Sequence, residues 1–403
     1  MKLLKRICFR LYREFFSLFK KLLPLSDIII FESEGDFCDN ARALYEYMVD
    51  NGYNEKYKLV WIVGSPDKYK KHLASNVKFI SRKITGFSEA FSFHYYTGSA
   101  KFFFFTHPHW LKSWKKSQTV VNLGHAAWVK KAKGKAYEGK LSDFVINSLK
   151  IQKETLAEYL NCDKDRVISL GYPRNDMLFS KKKVNLSLLL NHKAFDKLIL
   201  WMPTYRQCDN PVLSEDFLNN ETGLPLITTN SELTKINELL KDKNLILALK
   251  LHHLQSTRVI TELRLNNVVL LSDEDLMAQD IQLYEFVKCS DALITDYSSI
   301  AFDYLLLDRP IGYTLDDYEE YKKSRGFAFE NPLDYMPGEH IYNFSELEKF
   351  IISVSNNTDS YKKDRSKLKE QIHIEGSESA SKRILDYFDI KNKDVKIHEN
   401  YAD

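Results

Sequence analysis

The chain is predicted to fold as two α/β domains, each a mostly parallel sheet wrapped by helices, facing one another across a cleft and preceded by an amphipathic N-terminal helix. Three observations predict this. At 403 residues the chain exceeds one ordinary domain and suits two of about 150 to 200 residues each. Short apolar runs alternate with helical patterns, pause at a polar stretch near residue 185, and resume. The polar motifs all fall just beyond the carboxyl ends of those runs, where open α/β sheets take their ligands.

The N-terminal stretch Met1 to Leu23 interleaves basic and apolar residues at helical spacing, so that Leu4, Ile7, Cys8, Leu11, Phe15, Leu18, Phe19 and Leu22 share one broad face. Charges interrupt it too often for a spanning helix, which needs about 20 mostly apolar residues, and no small-residue cleavage site follows. A basic helix with Phe and Leu beneath it is suited to lie in the plane of an anionic membrane surface through residues 1–23. Packing on the protein body, or against a partner, is the competing expectation.

After Pro24, the runs Asp27 to Phe31, Lys58 to Val63, Val77 to Ile80, Lys101 to Phe105, Val120 to Leu123 and Phe144 to Asn147 read as strands, with Asn40 to Asp50 as a helix between the first two. The polar stretch Ser180 to Asn185 interrupts the alternation, which resumes with Leu198 to Trp201, Leu245 to Leu251, Val268 to Leu271 and Ala292 to Thr295. Leu347 to Ile352 and Tyr361 to Phe388 read as helices. The expected division is therefore 1–24 basic helix, 25–185 first domain, 186–390 second domain and 391–403 charged tail. No internal repeat or low-complexity segment interrupts it.

Composition narrows the function. Hydrophobic residues make up 44% and charged residues 28%, which describes a folded protein without a long disordered part. The formal charge is only +3, yet residues 1–24 hold seven cations against Glu14, so the remainder is slightly acidic. Nucleic-acid binding wants a basic face on the folded body and is not expected. Cys8, Cys38, Cys162, Cys208 and Cys289 are scattered, with no Cys-x-x-Cys pair and no metal-ligand spacing; a reducing compartment fits, and a catalytic thiol does not. His107-Pro-His109 lacks further ligands, so no metal site is expected. The absence of a Gly-x-x-x-x-Gly-Lys loop counts against an ATPase or kinase.

The most informative segment is Leu293-Ile-Thr-Asp-Tyr-Ser-Ser-Ile-Ala-Phe-Asp-Tyr304, an apolar strand running into an acid, two hydroxyls and a helical pattern. Ser298 and Ser299 at a helix start would add hydroxyl donors to backbone N–H groups that have no internal partner, an arrangement that holds phosphate. Helix capping by Asp296 and Ser298 is the plain alternative. Trp201-Met-Pro-Thr-Tyr-Arg206, Leu249-Lys-Leu-His252 and Arg325-Gly326 place further polar groups beyond strands or in loops.

Together with Asp296-Tyr-Ser-Ser299 and Asp303, these motifs resemble the CDP-glycerol glycerophosphotransferase family, which builds teichoic-acid and related capsular polymers. The resemblance spans roughly residues 27 to 385. It implies a GT-B-like fold and transfer of a polyol phosphate from a CDP-linked donor, CDP-glycerol or CDP-ribitol, to a hydroxyl of a lipid-linked or glycan acceptor, with CMP released. It also implies a peripheral enzyme on the cytoplasmic face of the membrane, with no cofactor.

Under this resemblance His125 is the base that takes the acceptor's proton, although Ala126, Ala127 and Trp128 stand where the family has Gly, Thr and Pro. An imidazole suits that task because its ordinary pKa near 6.5 leaves a neutral acceptor. His252, or its neighbour His253 where the family has Pro, is expected to neutralise charge on the donor phosphates or the departing CMP. Arg206 and Arg325 are planar donors for phosphate oxygens, and Gly326 allows a backbone to approach the ligand closely. Asp303, one helical turn after Ser299, or else Asp296, is expected to accept from ribose hydroxyls. Carboxylates facing a pyrophosphate repel it, so at least one of the two must be turned away or paired. Gly171-Tyr-Pro-Arg-Asn-Asp176 matches the family's Gly-x-Pro-Arg-x-Asp segment, as a turn near the linker or as an acceptor contact. A nucleotide-sugar glycosyltransferase of the same architecture and a non-catalytic scaffold of a polymer-assembly complex are the rival readings.

Overall fold

The run Ile28-Ile-Ile-Phe31 is buried on both sides, as a parallel strand covered by helices on each face must be. In the computed structural model it is the centre of β1 (Ser26–Glu32). The structure describes residues 2–107 (side chains from residue 11), 114–125, 131, 141–204, 221–251, 265–374 and 379–393. Among these, the first sheet holds β1, β2 (Lys58–Val63), β3 (Val77–Ser81), β4 (Ala100–Phe105), β5 (Thr119–Asn122), β6 (Phe144–Asn147) and β7 (Val167–Ser169), in the order 3-2-1-4-5-6-7 and all parallel. Side chains alternate across it. Ile29 and Phe31 join Trp61, Phe104 and Ile146 on one face, while Ile28 and Ile30 join Val60, Phe93 and Phe103 on the other.

The second sheet holds β8 (Lys197–Met202), β9 (Leu245–Leu249), β10 (Val268–Leu270), β11 (Ala292–Thr295), β12 (Ile311–Thr314) and β13 (Glu339–Ile341), in the order 10-9-8-11-12-13, again parallel. Both sheets are doubly wound, and the chain passes between them from Ser169 to Lys197. The helix Ala380–Tyr387 departs from the expected division. Its Ile384 and Leu385 lie in the core of the first sheet, so by packing it belongs to the first domain although the sequence placed it in the second.

The N-terminal helix α1 (Lys2–Leu22) is docked on the body, where α2 (Asp39–Asp50) and α3 (Phe87–Ser99) flank the first sheet. Phe16 is buried against α3 and stacks on His94 with ring centres 4.2 Å apart, and the Tyr12 hydroxyl lies 3.1 Å from His94 Nε2. A side chain added at Gly98 would come within 3.2 Å of Lys20 Cα, so glycine lets the two helices close up. Leu11, Phe15, Leu18 and Leu22 remain exposed at 51–75%. Packing on the body, one of the two competing sequence expectations, thus holds for one edge of the helix, and the other edge is open. Among the described residues, no helix is long and apolar enough to cross a membrane.

Burial, and then the nearby Lys20 ammonium, push the His94 pKa down to about 4. The unfolded chain takes a proton on this ring below about pH 6.5, whereas the folded chain does so only near pH 4. The stability this histidine contributes is thus complete above 6.5 and is lost as the pH falls towards 4. His94→Phe keeps a ring against Phe16 and removes that proton. Its stability relative to the parent, measured by urea unfolding, is expected to improve by about 1–2 kcal/mol between pH 7 and pH 5; a constant difference would show that His94 titrates normally.

Candidate active site

His125 follows the carboxyl end of β5 on a turn that leaves little freedom. Gly124 has φ +68°, and a side chain there would meet Tyr172 Cε1 at 2.7 Å and the Ile146 carbonyl at 2.8 Å. Its N–H donates to Asn122 Oδ1 at 2.9 Å. Fully buried Asn40, at the start of α2, donates through Nδ2 to the carbonyls of Gly124 (2.9 Å) and Leu123 (3.3 Å), and its Oδ1 accepts from the Arg174 N–H at 3.1 Å. One amide side chain therefore ties the His125 turn to the segment that leads out of the first domain.

The His125 ring stacks on His107 from the end of β4, with centres 4.4 Å apart and planes at 27°. His107 Nε2 lies 3.0 Å from a Glu34 carboxylate oxygen. Burial, with help from His107 and Arg174 and against the pull of Asp39, pushes the His125 pKa down to about 4. The imidazole is therefore neutral at physiological pH and has a lone pair to offer, though it is a weak base until negative charge arrives beside it.

Across the cleft, Asp296 follows β11 and is buried. Its carboxylate accepts from the Thr204 N–H (2.9 and 3.0 Å) and from the Thr204 hydroxyl (2.8 Å), tying the ends of β11 and β8 together. These bonds go beyond the capping role considered from sequence. Ser298 and Ser299 are half-buried at the start of the short helix Ile300–Tyr304, and the Ser299 hydroxyl makes no capping bond. Arg325 ends the helix Tyr318–Ser324, and its Nε is buried with no acceptor among the described residues. The Gly326 carbonyl accepts from the Lys131 N–H at 2.9 Å, so the Arg325-Gly326 turn touches the segment that follows His125. Arg206, His252 and His253 lie outside the described residues, as do Ala126, Ala127, Trp128 and His109.

The Gly171–Asp176 segment is the joint between the domains. Arg174, 7% exposed, donates from Nη1 to Asp39 of the first domain at 2.9 Å and from Nη2 to Asp303 of the second at 3.0 Å. Asn175 Nδ2 donates to the other Asp303 oxygen at 3.0 Å, and the Tyr284 hydroxyl donates to Asp303 as well. Asp176 accepts from the Ala380 and Ser381 N–H groups and from the Ser381 hydroxyl, at 2.7–2.9 Å, pinning the helix that crosses back. Arg42 to Asp280 (2.9 Å) and Lys182 to Glu285 (2.7 Å) bridge the domains beside it.

Asp303 is therefore not the open ribose acceptor that its spacing from Ser299 suggested. The helix after Ser299 turns this carboxylate inward, at 1% exposure, onto three donors. Of the residues predicted from sequence, His125 and Asp303 are linked through Arg174, while Asp296 is committed to Thr204. Asn40, Asp39 and Tyr284 went unrecognised. Asp39-Asn40 reads as an ordinary helix start, and Tyr284 lies in an apolar helical run with no motif around it.

With this geometry established, comparison with known proteins is specific. The family model "CDP-Glycerol:Poly(glycerophosphate) glycerophosphotransferase" matches residues 15–388. The chain belongs to this family. Among its relatives, the teichoic acid glycerol-phosphate transferase of Staphylococcus aureus is 25% identical over 403 aligned residues, covering 92% of this chain and 94% of that one. The teichoic acid poly(glycerol phosphate) polymerase of Staphylococcus epidermidis is 26% identical over 77% of this chain, which spans only 43% of that protein's length. The structure of a histidine variant of the wall teichoic acid polymerase TagF, soaked with CDPG, superposes with a TM-score of 0.73 over 96% of each chain at 22% identity. The glycerophosphotransferase fold is thus GT-B-like, with two doubly wound domains and a cleft between them.

Proposed function

We propose that this glycerophosphotransferase moves glycerol phosphate, or another polyol phosphate, from a CDP-linked donor to a hydroxyl of a lipid-linked or glycan acceptor, in teichoic-acid-like or capsular polymer synthesis. The family match across residues 15–388 carries this reading. The acceptor oxygen forms a bond to the donor's β-phosphorus, the phosphoanhydride bond breaks, and CMP leaves with the bonding pair. His125 takes the acceptor's proton. Such a reaction asks mainly for positioning and for donors around the phosphoryl oxygens. Ser298, Ser299 and Arg325 are assigned that work, with Arg206 and His252 beside them and Gly326 admitting the ligand.

Three observations support the assignment. His125 is held neutral. The Arg325 Nε has no acceptor among the described residues. Both acids near the serines have donors of their own, so the cleft does not present two bare carboxylates to a diphosphate. Asp296 is assigned to shaping the donor loop through Thr204. Residues 25–185 are assigned to the acceptor side and 186–390 to the donor, apart from the helix that crosses back. The protein is placed on the cytoplasmic membrane surface, held there by the exposed edge of α1.

The test is CMP release by the purified chain from CDP-glycerol and, separately, from CDP-ribitol, with a crude membrane acceptor. CMP from one donor is expected and names the polyol. Silence with both donors, with nucleoside diphosphate released from a nucleotide sugar, would move the chain to the glycosyltransferases; no turnover of any donor would leave a scaffold.

A further inference from the structure

A groove of about 790 Å³ runs between α1 and the body of the first domain, lined by Phe16 and Phe93 on its apolar side and by Arg13, Lys20, Lys21 and Lys115 on its polar side. It lies at the opposite end of the sheet from the cleft. Lys115 donates to the carbonyls of Leu23 and Gly98, which lead into the amino ends of β1 and β4. Glu14 is the one acidic residue among the described residues that line it.

Four cations face one carboxylate among the described residues that line the groove. Lys20 is half-buried and has neither a carboxylate nor a hydrogen-bond acceptor among the described residues, while Arg13 stands exposed at the mouth of the groove. Burial, and then the charge of Lys115, push the Lys20 pKa down to about 8, so the fold holds two ammonium groups against their mutual repulsion. An anion between them would relieve that repulsion and solvate both. Leu18 belongs to the groove and also to the outward edge, where Leu11, Phe15, Leu18 and Leu22 stand 51–75% exposed, and Phe87 of α3 extends that edge at 69%. A cationic groove continuous with an exposed apolar edge matches a ligand with an anionic head and an apolar tail.

We propose that the groove between α1 and α3 is a headgroup site for an anionic phospholipid of the membrane surface, its phosphate taken by Lys20 and Lys115 with Arg13 at the mouth, and the Leu11 to Leu22 edge resting among the acyl chains. The proposal rests on the membrane placement given above and goes further than it. A basic amphipathic helix alone would respond to the average surface charge, whereas a groove makes particular cations count for more than their neighbours.

The experiment is co-sedimentation of the full chain with vesicles of phosphatidylglycerol in phosphatidylcholine, and with phosphatidylcholine alone. The Arg13→Gln/Lys20→Gln variant is expected to bind the anionic vesicles about 30-fold more weakly, two surface cations each contributing a factor of about five. Its weak binding to phosphatidylcholine should not change. The exposed pair Lys362 and Lys363, changed to Gln as a charge-matched control, should have little effect. If the unaltered chain sediments with no vesicle, the membrane placement itself fails and the groove with it. If it sediments normally and the groove variant matches it, the placement stands and the groove proposal is overturned.

A second measurement needs no variant. Acylation of Lys20 by an N-hydroxysuccinimide ester, referenced to Lys21, should be suppressed by phosphatidylglycerol vesicles and left unchanged by the same concentration of inorganic phosphate. Equal protection by free phosphate would make this a site for a soluble anion and would refute the lipid assignment.

Discussion

Replacing His125 by alanine is expected to lower CMP release by about 10²-fold or more while leaving donor affinity nearly unchanged. The ring sits on the first-domain rim, on a turn fixed by Gly124 and by the Asn40 amide, and its neighbours hold it neutral. The acidity of the free enzyme follows from this. Because kcat/KM reports the unliganded protein, its acid limb should fall near the lowered value of about 4 rather than at an ordinary imidazole's 6.5. The donor's diphosphate brings negative charge into the cleft and should raise the ring's proton affinity, so kcat should break at higher pH than kcat/KM. Calorimetry for the donor and steady-state release across pH 4–8 would measure both. Normal turnover of His125→Ala would remove the residue from the mechanism, and a break in kcat/KM at 6.5 that vanishes in His125→Gln would refute the electrostatic account.

The strands that sequence made visible are those with an uninterrupted apolar run, such as Lys58–Val63 and Ala292–Thr295. Those it did not reveal lack such a run. Val167–Ser169, Ile311–Thr314 and Glu339–Ile341 contribute three or four residues each, and Pro310, Gly312 and Gly338 break the apolar pattern around the last two. Parallel pairing with an established neighbour makes such segments strands, and that is a long-range property. The position of His125 beyond a strand was readable because a strand end, a glycine and an imidazole are adjacent in the chain. Arg174 was readable as a motif but not in its role, since its two partners are 135 and 129 residues away.

The two acids near the serines illustrate the same limit. Their spacing from Ser299 was plain, and so was the need to keep bare carboxylates from a diphosphate. In the structure each of the two has donors of its own. Asp296 takes the backbone N–H and hydroxyl of Thr204, which fixes where the chain leaves β8. Asp303 takes an arginine from the other domain. Neither partner could be inferred from a local window, because each choice depends on which strand ends the fold brings together.

Removing the Asp303 carboxylate is accordingly expected to act on stability first. Asp303→Ala would leave the buried Arg174 guanidinium with only Asp39, and would strip the acceptor from Asn175 Nδ2 and the Tyr284 hydroxyl. Breaking a buried pair on one side costs about 3–5 kcal/mol, because the remaining charge stays desolvated. Thermal melting should start about 10 °C lower as a result, with activity lost through the domain register. A matched apolar pair behaves differently, since replacing both ions by side chains of similar volume is often neutral. Arg174→Met/Asp303→Leu should therefore recover much of the melting temperature, while turnover stays low because Asp39 has lost the guanidinium that joined it to the second domain, even though the backbone N–H of residue 174 still holds Asn40 and the His125 turn. A ribose contact predicts another pattern: Asp303→Asn would raise KM for the CDP donor and leave melting unchanged. Measuring both quantities on the same variants decides whether this carboxylate holds the nucleotide or the joint, and the three donors already on it favour the joint.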